Sequence, residues 1–228
     1  MRHAAGMRFD HVMGLWRLYW IPDGIAPSDG GYVRYPANDL LDILALESHR
    51  AQAFVVGEDL GTVEPVVREE MSRRQMLSYK LLWFQEDPPS GYPQLSLAAA
   101  NNHDLPTTAG LWTGADARMA EELDVDPNEG FRQAIFGRLE RNAGIAREAS
   151  LEEAIDRSYS ALARCPSSVV LGSLEDALEV TERHNQPGTM GEWNWSTALP
   201  ETLEEIETNE RAEQLSRILH EGRERGGD

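Results

Sequence analysis

Cysteine is almost absent. Cys165 is the only one in 228 residues, so no intramolecular disulfide and no cysteine-based zinc site can form. A reducing, cytoplasmic compartment fits that usage. Lysine is equally scarce: Lys80 stands alone among 21 basic residues, the rest being arginine. No apolar run approaches the ~18 residues of a membrane span, so no membrane insertion is expected. No apolar leader is visible either, since the chain opens on Arg2 and His3. Internal repeats, low-complexity linkers and the glycine fingerprints of dinucleotide or P-loop sites are missing as well.

Positive charge is in deficit. Thirty-nine acids face 21 bases, for a net charge of −18. Such a surface repels phosphate backbones and disfavours nucleic-acid binding, but it does not repel a neutral sugar. Hydrophobic residues at 41% and charged residues at 26% are ordinary globular usage, so fibrous and wholly disordered states are excluded.

Five short apolar runs read as strands covered on both faces: Met7–Asp10, Ala53–Val56, Ser78–Phe84, Leu95–Ala100 and Ser168–Leu171. Helical spacing predicts helices over Asn38–His49, Glu64–Ser72 and Asn128–Asn142. Ser150 and Glu153 have capping-box spacing for a helix reaching Ala163. One long amphipathic helix is expected over Glu201–Arg225, with Leu203, Ile206, Leu215, Ile218 and Leu219 inward and a frayed tail at Gly226–Asp228. Strands alternating with helices predict an α/β fold with a parallel sheet. A full (β/α)8 barrel has eight strands in typically about 250 residues. Five strands therefore predict part of a barrel, its second half, plus a helical C-terminus. The lead-in to the charged cluster at Arg8–His11 is only a few residues, which suggests that the beginning of the chain is missing. The expected organisation is one partial barrel: residues 1–115 carry strands and acids, 116–200 a helical insert, the last strand and a loop, and 201–225 the terminal helix.

Three acids follow apolar runs directly: Asp10, Glu58 and Asp104. Strand C-terminal ends are where α/β barrels place their sites, and there acids distant in sequence can meet around one sugar ring. Two carboxylates about 5–5.5 Å apart allow retaining glycosyl transfer, and a third can hold hydroxyls as charge builds on the ring. Arg8 lies two residues before Asp10 on one strand face, where it favours the charged form that a nucleophile requires. Glu58 follows an apolar strand and adjoins Asp59; burial and like charge favour the protonated form that a general acid requires. His11 and His103 can donate to sugar hydroxyls. An acid after a buried strand can instead cap a helix or close a loop salt bridge. The pairs Asp10-His11 and His103-Asp104 are poor metal chelates, because neighbours on a strand point apart, so no metal and no cofactor are expected. Trp16, Trp20, Trp193 and Trp195 could stack on sugar faces; core packing is the plainer account of Trp16, and Trp20 is evenly balanced.

The segment Arg8-Phe9-Asp10-His11-Val12-Met13-Gly14, with Leu18-Tyr19-Trp20-Ile21-Pro22, resembles the nucleophile segment of the 4-α-glucanotransferases, the amylomaltases of glycoside hydrolase family 77. Gly57-Glu58-Asp59-Leu60-Gly61 resembles the family's acid/base segment. His103-Asp104-Leu105-Pro106-Thr107 resembles the segment that stabilises the transition state. Asn185-Gln186-Pro187-Gly188-Thr189 and Asn194-Trp195 are similar to its C-terminal substrate loop. The resemblance runs in order over about residues 5–200. It implies a (β/α)8 barrel of which this chain holds roughly strands four to eight. It implies Asp10 as nucleophile, Glu58 as acid/base, Asp104 as stabiliser, and sugar contacts from Arg8, His103 and Asn185. The implied activity transfers α-1,4-glucan segments between maltooligosaccharides or to glucose, without metal or organic cofactor. The sequence departs from the family pattern at Asn102, where a threonine is common, and in overall length. The alternatives are an inactive remnant, or half of a split enzyme completed by an N-terminal partner chain or by self-association. An α-amylase-like hydrolase shares the same three-acid chemistry.

Overall fold

A computed structural model describes residues 3–225; the expected tail at 226–228 lies outside them. In chain order the elements are β1 (Gly6–Phe9), β2 (Arg17–Trp20), β3 (Gly31–Arg34), α1 (Ala37–Ala51), β4 (Phe54–Gly57), α2 (Pro65–Arg73), β5 (Leu77–Leu81), β6 (Ser96–Ala99), α3 (Thr108–Thr113), α4 (Ala115–Glu122), α5 (Glu129–Ala143), α6 (Leu151–Ala163), β7 (Val169–Val170), α7 (Leu174–Ala177), α8 (Leu203–Ile206) and α9 (Glu210–Arg225). The main sheet runs in the order β1-β4-β5-β6-β7. Its β1-β4 and β4-β5 pairs are parallel, with Phe9 opposite Gly57 and Gly57 opposite Ser78. The fold class is that of the (β/α)8 barrel, of which this chain carries five strands and a helical C-terminus.

The chain divides into two compact units, Met1–Tyr79 with Leu95–Leu97, and Lys80–Gln94 with Ala98–Asp228. In the first unit, Val12, Leu41, Val55, Val67, Met71 and Met76 form the core. Side chains of this kind contribute about 1.5–3 kcal/mol each when fully buried. Pro65 occupies the first turn of α2, where a missing N–H costs nothing. The α1 helix ends at Gln52 in the left-handed region, whose N–H closes back on the last turn.

The second unit is mainly helical. Its core gathers Trp83, Leu111, Ile135, Leu139, Ile155, Tyr159 and Leu162, and Leu215 of α9 packs into it. Side-chain oxygens of Thr107, Asn128, Ser150 and Ser173 accept an N–H from the first turn of α3, α5, α6 and α7, satisfying donors that the helices leave open.

Three expectations need correction. The strand expected over Ser78–Phe84 ends at Leu81. Phe84 and Gln85 both donate back to the Leu81 carbonyl, at 2.9 and 3.2 Å, and turn the chain. Leu82 and Trp83 are apolar because they are fully buried, not because they extend a strand.

The single helix expected over Glu201–Arg225 is two. Thr202 and Glu205 make a complete capping box at the start of α8. Asn209 then opens α9, its Oδ1 accepting the N–H groups of Arg211 and Ala212 at 2.9 and 3.0 Å. Leu203, expected inward, is exposed.

The antiparallel β2-β3 hairpin is an addition to the sequence reading. Both strands are largely exposed, so neither carries the buried apolar signature.

Candidate active site

The first unit sets Asp10 and Glu58 side by side. Each is the residue just past the paired run of its strand, Phe9 opposite Gly57, and neighbouring strands lie about 4.8 Å apart. The Glu58 N–H donates to the Phe9 carbonyl at 2.9 Å, and the Val12 N–H to the Glu58 carbonyl at 3.0 Å. The ladder therefore continues through both acids.

His11 takes a left-handed conformation, φ 45°. In that turn its N–H donates to Glu58 Oε2 at 3.0 Å. The Leu60 N–H donates to Oε1 at 2.7 Å. Both oxygens of Glu58 are thus held by backbone. Arg8 lies 2.7 Å from Asp10 Oδ1, as its spacing predicts. Its guanidinium also sits 5.2 Å from the centre of the Tyr79 ring. Burial pushes the Tyr79 phenol above its ordinary value, with Arg8 pulling the other way. Asp10 is the exposed partner, with 71% of its side chain accessible.

Asp59 does not act on Glu58 as a bare like charge. Its carboxylate is buried and accepts from Arg68 Nε at 3.0 Å, from the Ser78 hydroxyl at 2.7 Å and from the Tyr79 N–H at 2.8 Å. Asp59 is a structural acid that ties the Glu58 loop to β5. Trp20 lies on the exposed hairpin, and its indole N–H donates to the Tyr35 hydroxyl at 2.8 Å. Trp16 packs against the core of the unit.

The second unit groups His103, Asp104, Asn185 and Trp195. Asn102 Oδ1 accepts the Asp104 N–H at 3.1 Å, a side-chain turn that suits asparagine. Asn185 Nδ2 donates to Asp104 Oδ1 at 2.9 Å. His103 Nε2 lies 3.4 Å from Asp104 Oδ2, and the His103 and Trp195 rings are 5.2 Å apart. The half-exposed carboxylate is therefore held from two sides.

Sequence reasoning missed Arg183. Its buried guanidinium donates from one terminal nitrogen to the Asp104 carbonyl at 2.6 Å and from Nε to the Asn185 carbonyl at 2.7 Å. Burial pushes this guanidinium below its ordinary value, against the opposing pull of Asp116 and Asp104. The signal was an arginine two residues before Asn185, inside a loop with no helical or strand pattern. The loop is closed by Asn194, whose Oδ1 accepts the Gln186 N–H at 3.0 Å. Among the described residues, no group of three or more His, Cys, Asp or Glu is placed to hold a metal ion. No described helix is long and apolar enough to cross a membrane.

The comparisons with known proteins point one way. The family model described as 4-alpha-glucanotransferase, glycoside hydrolase family 77, matches residues 1–202. A 4-alpha-glucanotransferase of Mycobacterium tuberculosis is 40% identical over 96% of this chain and 34% of its own length. The crystal structure of amylomaltase from Corynebacterium glutamicum superposes with a TM-score of 0.86 at 30% identity, over 96% of this chain and 36% of that one. An amylomaltase from Streptococcus agalactiae, solved in complex with acarbose, shares the fold at a TM-score of 0.65 and 18% identity, over 94% of this chain and 41% of that one. The chain spans about a third of the length of the curated relatives it matches. On the extent of the family match, the chain belongs to the 4-alpha-glucanotransferase family, glycoside hydrolase family 77.

Proposed function

We propose that this chain carries the catalytic acids of a 4-alpha-glucanotransferase that works by retaining double displacement. The observation that supports the reading most is the placement of Asp10 and Glu58 just past the ends of adjacent parallel strands; retaining enzymes use a pair of carboxylates about 5–5.5 Å apart. Asp10 attacks the anomeric carbon of an α-1,4-glucan. The C1–O4 bond breaks, and Glu58 gives its proton to the departing 4-oxygen. The glucan is then held as an ester on Asp10. Glu58, now a carboxylate, takes the proton of an incoming 4-hydroxyl, which displaces Asp10 from C1. Asp104 binds hydroxyls of the reacting sugar as positive charge develops. Arg8 pairs with Asp10 at 2.7 Å and orients it, and His103 and Asn185 add sugar contacts.

The substrates are maltooligosaccharides, with glucose as an acceptor; no metal or organic cofactor enters the steps. Acarbose, present in the S. agalactiae structure, is a fitting probe of the proposed site. The reading also places the chain in the cytoplasm, where its buried free cysteine needs no oxidising compartment. The experiment is disproportionation of maltotriose by the chain and by Asp10→Asn, which removes the nucleophile. A loss of about 10³-fold or more is expected; near-normal transfer by the variant rejects the role of Asp10. Glucose with no longer oligosaccharides among the products favours hydrolysis over transfer.

A second reading has an observation behind it, the one-third coverage of the relatives. In this version the acids act only when an N-terminal partner chain, or a second copy of this chain, completes the site. Activity that appears only on adding the N-terminal part of a relative supports it, and full activity of the chain alone rejects it.

A further inference from the structure

Two neighbouring acids of α7 reach in different directions. Asp176 is fully buried and accepts from the Tyr159 hydroxyl of α6 at 2.7 Å and from the Thr108 N–H of α3 at 3.1 Å. Thr108 opens α3 directly after the loop of His103 and Asp104, so α7 is fixed to the end of that loop. Glu175 reaches the other way. Its Oε2 pairs with the Ser173 hydroxyl, and its Oε1 lies 2.6 Å from His184 Nε2. His184 belongs to the second loop at the site, the one that carries Asn185 and Trp195. The function proposed above uses neither Glu175 nor His184.

This bracket holds a strained aromatic residue. The Trp195 N–H donates to the His184 carbonyl at 2.7 Å, and Trp195 has a left-handed backbone, φ 63°. Every other described non-glycine residue in that region is polar. A bulky side chain there crowds the backbone. Burial does not offset that strain, because Trp195 is 63% exposed. Strain of this kind gathers at sites where a side chain must be held for a ligand. The Trp195 ring stands 5.2 Å from the His103 ring, centre to centre, and His103 Nε2 is 3.4 Å from Asp104 Oδ2. An apolar ring held still beside a carboxylate suits a sugar, with C–H groups against the indole and hydroxyls toward the acid. Arg183 and Asn185 tie their part of the loop to Asp104. The carbonyl that receives the Trp195 N–H is held instead through the His184 side chain and Glu175.

We propose that Glu175 and His184 are positioning residues: their pair fixes the His184 carbonyl, and through it the strained backbone of Trp195, so that the indole forms a stacking wall for a glucose unit beside Asp104. The choice of a glucose unit rests on the function proposed above; the clamp and the placement of the ring do not.

The test is NMR of the isotope-labelled chain, first without sugar. Glu175→Ala and His184→Ala should each move the His103 ring protons, because the Trp195 ring no longer stands beside them. Glu175→Gln, whose amide oxygen still accepts from His184, should restore the wild-type shifts. The Trp83 indole, buried in the core of the unit, reports that each variant is folded. Maltotriose is then titrated, and the Trp195 indole N–H is expected to shift saturably. Trp195→Ala, Glu175→Ala and His184→Ala should each raise the half-saturation concentration about threefold or more, and Glu175→Gln should return it to near the wild-type value. His103 shifts that Glu175→Ala and His184→Ala leave unchanged overturn the clamp. A Trp195 indole that stays put while the Asp104 amide shifts saturably overturns the stacking wall and leaves the substrate reading standing. Shifts that remain linear at every residue overturn the wall as well. Saturable Trp195 shifts in a chain that transfers no maltotriose support the wall and reject only the transfer.

Discussion

The backbone N–H of His11 donates a 3.0 Å hydrogen bond to Glu58 Oε2. One residue in a left-handed turn thereby joins the loop after Asp10 to the carboxylate proposed as acid/base. The bond crosses 47 residues of sequence, and it exists because β1 and β4 are parallel neighbours in register. The proposed pair is preset by the sheet, with no need for a ligand to assemble it.

Glu58→Gln should lower transfer by about 10²–10⁴-fold, the range for a positioned general acid. The amide oxygen can still accept one of the two N–H groups, from His11 or Leu60. The thermal midpoint should therefore move little while the rate collapses. Circular dichroism melts beside maltotriose assays check both halves of the statement.

Arg183→Met should disturb Asp104 without touching substrate. It removes a donor from the Asp104 carbonyl and another from the Asn185 carbonyl. Charged hydrogen bonds of this kind contribute about 1.5–3 kcal/mol each. Arg183→Lys can restore one of the two contacts and should recover part of the stability and part of kcat. Steady-state kinetics alongside urea melts read the difference.

Trp20→Ala separates stacking from folding. Trp20 is more than half exposed and its indole bonds only to Tyr35 among the described contacts. Stability should change by no more than about 1 kcal/mol. If Trp20 contacts glucan, KM should rise severalfold with kcat nearly constant. An unchanged KM removes Trp20 from the substrate site.

Asp176 is the most deeply buried acid of the second unit. It accepts from the Tyr159 hydroxyl at 2.7 Å and from the Thr108 N–H at 3.1 Å. Burial pushes its carboxyl above the ordinary value, while those two donors pull it down. A folded value above the unfolded one contributes stability that is complete below the unfolded value, about pH 4, and that is lost as pH rises through the folded one. Asp176→Asn removes this term and should flatten the fall in stability on raising the pH from about 4. Asp176→Ala strands two buried donors and should cost about 2–5 kcal/mol. Urea melts across pH compare the three proteins.

Glu175 shows the opposite sign. Burial pushes its carboxyl up, but the Ser173 hydroxyl, its own backbone N–H and His184 outweigh that and hold it below 4.5. Its stabilisation is present above the unfolded value and lost as pH falls through the folded one. The stability gap between wild type and Glu175→Gln should therefore shrink below about pH 4, as acid melts would show.

The legible parts of the fold were those where burial and periodicity agree. Val55, Val56, Leu97 and Ala98 are buried and lie in strands, so short apolar runs located β4 and β6 well. Ser150 announced its helix through side-chain capping, its Oγ accepting the Glu153 N–H. The β2-β3 hairpin was hidden because Tyr19, Trp20, Tyr32 and Val33 are exposed aromatic and apolar residues with no inward face. The break at Asn209 was legible in principle, since asparagine is a strong N-cap, but the continuous charge pattern on both sides masked it.

At the candidate site, Arg8 and Asp10 were readable from their spacing, because alternate residues share a strand face. The backbone donors of His11 and Leu60 were not, because N–H groups leave no mark in a sequence. Asp59 was misjudged for a related reason: Arg68, which neutralises it, and Ser78 and Tyr79, which hold it, come from two other places along the chain.

Trapping the covalent intermediate tests the central claim most directly. The Glu58→Gln chain would be incubated with α-maltosyl fluoride, whose leaving group needs no proton, and digested for mass spectrometry. The account predicts a maltosyl ester on the peptide carrying Asp10, absent when Asp10→Asn is added. An adduct on another residue, or one that survives Asp10→Asn, contradicts it.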